Sequence, residues 1–75
     1  MSGGGPEWLS VTIVDVVQWS EGEPRAARCQ VGLVRMPETG DVHLASQILG
    51  KPMIILPPTS AAQMIGALRA GLNEL

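Results

Sequence analysis

His43 is the only histidine of this chain, Cys29 the only cysteine, and Trp8 and Trp19 the only aromatic residues. General acid–base work at His43 needs a carboxylate or nucleophile arranged around the imidazole. Asp41 is close in sequence and of the same parity, but two neighbours on one strand form no triad, so His43 reads as a strand histidine on an outer face. A reactive thiolate at Cys29 needs a cation or helix N-terminus beside it. Arg28 is adjacent in sequence and therefore points to the opposite face of a strand, which leaves Cys29 as a buried, inert thiol. One cysteine permits no intrachain disulfide, and one histidine with one cysteine offers no set of metal ligands. Gly3-Gly4-Gly5 precedes no strand-to-helix turn with a following lysine, so it is not a phosphate loop. Stacking platforms for nucleic acid sit among cations. Near the tryptophans lie Glu7, Glu21 and Glu23, so Trp8 and Trp19 read instead as core or interface anchors. No catalytic, cofactor-binding or metal-binding residue is assigned.

Composition narrows the field further. Seventy-five residues make one domain, near the size at which a single core barely offsets the entropy of ordering the chain. Only 16% of the residues are charged, against about 25% in ordinary soluble domains. Mean hydropathy is positive at +0.22. With no disulfide or metal to staple it, such a chain is expected to gain stability by oligomerising. The net charge is −2, and the basic residues Arg25, Arg28, Arg35, Lys51 and Arg69 are scattered rather than gathered on one stretch. A nucleic-acid binder needs clustered cations to release counterions, which makes nucleic acid an unfavoured partner. No stretch approaches the ~20 apolar residues of a membrane span, and Met1 to Glu7 has no basic region of a signal peptide, so a cytoplasmic location is expected. Four arginines to one lysine, with abundant alanine and glycine, match the coding bias of a small bacterial or phage protein from a GC-rich genome.

The elements follow from periodicity. Residues 1–7 read as a flexible tail and 8–75 as a single α+β domain. Leu9 to Trp19 alternates with period two, as in a half-buried strand. Asp15 interrupts its apolar face, either through a bulge or as an inward charge protecting an edge. After a polar turn at Ser20 to Pro24, a second strand from about Ala26 to Arg35 places Ala27, Cys29, Val31 and Leu33 on its core face. The opposite sheet face is then expected to carry Thr12, Val14, Val16, Arg28, Gln30, Gly32, Val34 and Met36. Pro37 to Asp41 has the shape of a hairpin connection. A third strand opens with Val42 and Leu44, and Gly50-Lys51-Pro52 turns into a fourth, Met53 to Leu56. Pro57-Pro58 stops that strand, and Ser60-x-x-Gln63 reads as a capping box opening a helix to Leu75. The expected fold is a small, mainly antiparallel four-stranded sheet, β-β-β-β-α, with one amphipathic helix packed on one face.

The helix carries the main functional hint. If Ala61, Met64, Ile65, Leu68, Leu72 and Leu75 face the core, the outer side shows Ala62, Gly66, Ala67 and Ala70, with few charges besides Arg69. A solvated helix back normally holds charged, strong helix formers. The row Ala62, Gly66, Ala70 would allow another backbone to approach closely. An interface through Ala62, Gly66, Arg69, Ala70, Trp8 and Trp19 is therefore expected.

The closing strand, Pro/Thr/Ser boundary and alanine-rich helix, about the last third of the chain, is similar to the tail of many small actinobacterial and phage proteins of unknown role. In element order it also resembles the strand-to-helix element of dimeric single-strand-binding transcription cofactors. The resemblance implies dimerisation and single-strand binding; no functional residue is carried over from it. The expectation from the residues is a non-catalytic, homo-oligomeric protein-interaction module with a regulatory or inhibitory role, antitoxin-like, phage inhibitor-like or a transcription-regulator partner. Its partners are itself and an unidentified protein. The alternatives are a single-strand nucleic-acid binder and a small enzyme whose site is completed across a subunit interface with His43.

Overall fold

The computed structural model describes residues 4–75; the expected tail over residues 1–7 lies, up to residue 3, outside the described residues. Four strands and one helix follow in chain order: β1 Glu7–Ser20, β2 Glu23–Arg35, β3 Val42–Ile48, β4 Ile54–Leu56 and α1 Pro58–Leu72. The sheet is an antiparallel meander in the order β1-β2-β3-β4, so every strand pairs with its sequence neighbour. The architecture is α+β, as the periodicity predicts.

The hairpin of β1 and β2 dominates it. Its turn is Glu21-Gly22, both with positive φ (54° and 77°), the arrangement of a type I′ connection whose twist matches that of the strands it joins. Gly22 meets this demand without a Cβ penalty. A two-residue turn brings Ser20 opposite Glu23 and propagates the pairing Gln18 with Arg25, Val14 with Cys29 and Thr12 with Val31. Paired residues share a face. Thr12, Val14 and Val16 therefore lie with Ala27, Cys29, Val31 and Leu33, and not, as expected from sequence, with Arg28, Gln30, Gly32 and Val34. The correction is one of register: alternation within each strand is as read, but the turn pairs odd with even positions.

The register shifts once, between Trp8 and Ser10. This irregularity lies six residues from Asp15, which stands in regular pairing with Arg28, so Asp15 does not mark a bulge; β1 is an edge strand, but the carboxylate is turned to solvent rather than inward. At the shift Ser10 Oγ accepts from the Leu33 amide at 3.3 Å. A Cβ on Gly32 would fall 1.9 Å from the Ser10 carbonyl oxygen, so only glycine lets β1 bend over β2 here. The bend leaves Trp8 paired with Val34, which in turn pairs with His43. Val34 and Ala45, on this side of the sheet, are fully buried.

β3 is joined to β2 by a compact loop in which the Met36 amide donates to the Asp41 carbonyl at 2.8 Å and the Gly40 amide to the Met36 carbonyl at 2.9 Å. The Gln47 side-chain amide donates to the Lys51 carbonyl at 2.9 Å and steadies the next turn. α1 begins earlier than the capping box implies. Pro57 is the N-cap residue, Pro58 the first helical one, and no side chain caps the end. Proline at the first position has its φ already set for a helix and lacks one of the amides a cap would serve, so the helix starts as soon as the two prolines permit. The Ala61 amide donates to the Pro57 carbonyl at 2.8 Å, which places Ser60 inside the first turn.

Two variants test these local assignments. Thr59→Ala with Ser60→Ala should shift stability by less than about 0.5 kcal/mol in chemical denaturation, because no cap bond is lost and alanine is the better helix former. Gly32→Ala should cost about 3 kcal/mol or more, measured the same way, since backbone rather than a flexible side chain must move.

Candidate interaction surface

Register sorts the apolar residues into two faces. α1 lies on the face of Val31, Leu44 and Leu56, which join Ala61, Met64, Ile65 and Leu68 in lining an apolar groove of about 190 Å³ between helix and sheet. Ala61 is the only helix residue that is buried. Met64 is 47% exposed and Leu72 68% exposed, so the stripe expected to face the core is anchored at its first turn and open beyond it. Val14, Val31 and Leu33 on the same sheet face are also exposed. No charged side chain lines the groove.

The opposite face is different. At its centre Trp8 is half-buried in line with Val34 and His43, and His43 Nδ1 is buried without a hydrogen-bond partner. Towards the turn, Val17 and Trp19 stand out on the part of the hairpin that β3 does not reach, Trp19 with 71% of its surface exposed. Arg28 Nε and Asp15 Oδ1 are 3.9 Å apart across the two strands on this face; Arg25 and Glu23, at odd positions of β2 and so on the helix-side face near the turn, form another exposed pair at 3.6 Å. Such exposed pairs contribute little to stability.

Of the residues expected at an interface, Ala62, Gly66, Arg69 and Ala70 are all exposed on α1, Trp19 is exposed at the hairpin end, and Trp8 is half-buried on the sheet face away from the helix. α1 and the tryptophans thus occupy opposite sides. Cys29 is half-buried on the helix side and His43 on the other, so the register keeps them on separate faces. Asp41 lies in the loop before β3, where its amide donates to Thr39 Oγ1 at 3.2 Å. Among the described residues no group of three or more His, Cys, Asp or Glu side chains could hold a metal ion. No helix among them is long and apolar enough to cross a membrane.

The surface that sequence reasoning assigned to the core, Val31, Met64, Ile65, Leu68 and Leu72, is open on the helix side. Its magnitude shows in the whole molecule. A compact monomer of 7.9 kDa exposes about 4,400 Å², whereas this chain exposes 5722 Å². The radius of gyration is 14.3 Å against about 11 Å for a compact domain of this length. No family model matches the chain, and neither a curated protein nor a solved structure matches it significantly.

Gly66 reports on the outer side of α1. A Cβ there meets nothing within 4 Å in the chain itself. Gly66→Ala should therefore stabilise the protein by about 0.5–1 kcal/mol in chemical denaturation if that side faces water, and destabilise it if another backbone packs against the row of small residues.

Proposed function

We propose that this chain is a small, non-catalytic protein-interaction module that works as a homo-oligomer and has a regulatory or inhibitory role, of the kind played by an antitoxin, a phage-encoded inhibitor or the partner of a transcription regulator. The observation that carries the reading is the excess of exposed surface, with large apolar side chains exposed both on the helix side and, at Val11, Ile13, Val17 and Trp19, on the opposite face. A solvent-facing surface of that kind is rare on a protein that works alone. The non-catalytic part is supported by the placement of Cys29 and His43 on opposite faces of the sheet. The cytoplasm is the proposed compartment, supported by the single thiol and the absence of disulfide pairing it entails. A bacterial or phage origin is supported by the arginine-rich, alanine-rich coding bias.

Light scattering at micromolar concentration should give a mass of two chains or more. One chain's mass up to millimolar concentration overturns the oligomeric reading. Purification from the native host should recover one stoichiometric protein alongside the chain. A single-stranded oligonucleotide should fail to bind even at low salt; tight binding that weakens steeply as salt rises would instead favour a nucleic-acid function.

A further inference from the structure

We infer that the occupant of the helix-side face is a second copy of this chain, docked about a two-fold axis over the groove between α1 and the sheet and over the adjoining apolar residues of β1 and β2. This rests on the oligomeric reading above and specifies the surface it uses.

Area is the first argument. The chain exposes about 1,300 Å² more than a compact monomer of its mass. That excess belongs to the whole chain rather than to one face; a stable interface of standard size takes about 800 Å² from each partner, so the chain has surface enough for one such contact. The chemistry of the face is the second. A two-fold contact sets the same patch against itself, and each charge near the axis would meet its own like. Thr12, Val14, Val31 and Leu33 on the sheet, with Met64 and Leu68 on α1, carry no charge, so this patch can meet its copy without repulsion. Two surfaces rival it. The opposite sheet face exposes Val11, Ile13, Val17 and Trp19, but Asp15 and Arg28 stand among them, and a two-fold contact there would set charges near their like. The second rival is the outer edge of β1. There Asp15, exposed and central, would bring carboxylates together in a symmetric antiparallel pairing, which disfavours that edge. The attachment of α1 is the third argument. The helix is buried only at Ala61 and stays open from Met64 onward, which leaves a wedge for side chains from the partner copy.

Sedimentation velocity at micromolar concentration tests the inference with Val14→Glu and Leu68→Glu on the helix side and Val17→Glu on the opposite face. The wild type and Val17→Glu should sediment as dimers. Val14→Glu and Leu68→Glu should be folded by circular dichroism and monomeric, with dissociation constants raised by roughly 100-fold or more, since each places an unpaired charge in the contact. If both helix-side variants stay dimeric, the inference falls while the oligomeric reading survives; a monomeric wild type removes both. Should those variants not fold, the wild-type thiol decides. Cys29 lies on the helix side, paired with Val14 and Ile48. Its reaction with an aromatic disulfide reagent should slow at least ~10-fold between dilution and the dimeric range, because interface contacts exclude solvent and solutes. An unchanged rate across that range overturns the proposed face.

Discussion

The pairing of β1 with β2 is the constraint on which the rest depends. Because Glu21-Gly22 closes the hairpin with two residues, even positions of β1 share a face with odd positions of β2. A slip of one residue would exchange the faces of an entire strand. Val14 would leave the company of Cys29 and Val31 and join Asp15's present side, and the helix would look onto a mixed surface. The bulge at Leu9 reverses the parity only for the first residues of β1, and so sends Trp8 to the side where Val34 is buried. Gly32 permits that bend. A turn, a bulge and a glycine thus divide the apolar residues between the face that buries Val34 and Ala45 and the face beneath α1.

That division explains why so hydrophobic a chain has so little interior. Among the described residues the fully or nearly buried apolar ones are Val34, Ala45 and Ala61, two of them alanines. Burial of such small side chains contributes little against a conformational cost of about 1–2 kcal/mol per ordered residue. The larger side chains, Val31, Leu33, Met64, Ile65 and Leu68, are all partly exposed. In the proposed assembly they become the greater part of the core, so folding stability and association would be two measures of one hydrophobic contact.

Much of the fold was legible in the sequence. Period-two alternation located β1 and β2, and the turn-forming residues at Pro37 to Asp41 and Gly50 to Pro52 separated the later strands. The two prolines marked the boundary between β4 and α1 even though Ser60 is not the cap, because the same pair that ends a strand can open a helix. The cross-strand phasing was not legible. It rests on positive φ at Glu21, a non-glycine residue, and on a backbone approach at Gly32 that no periodicity records. How far the helix side stays open was not legible for a related reason. Helical spacing identifies the apolar stripe of Met64, Ile65, Leu68 and Leu72, but it does not say whether the sheet beneath is broad enough to cover it. The low charge content was the signal that the coverage would be incomplete.

The strand order also governs how the molecule comes into being. Each of β2, β3 and β4 pairs with the strand made just before it, so the sheet can zip up from the first hairpin without closing a long loop. α1 follows β4 directly, so it too reaches the sheet without closing a long loop. Strand pairing of this kind is local and needs no second chain, whereas the proposed association depends on concentration even though it would share the same apolar contacts. In the proposed assembly the apolar face could therefore form ahead of its occupant, and the interval between the two events would lengthen as the protein becomes scarce.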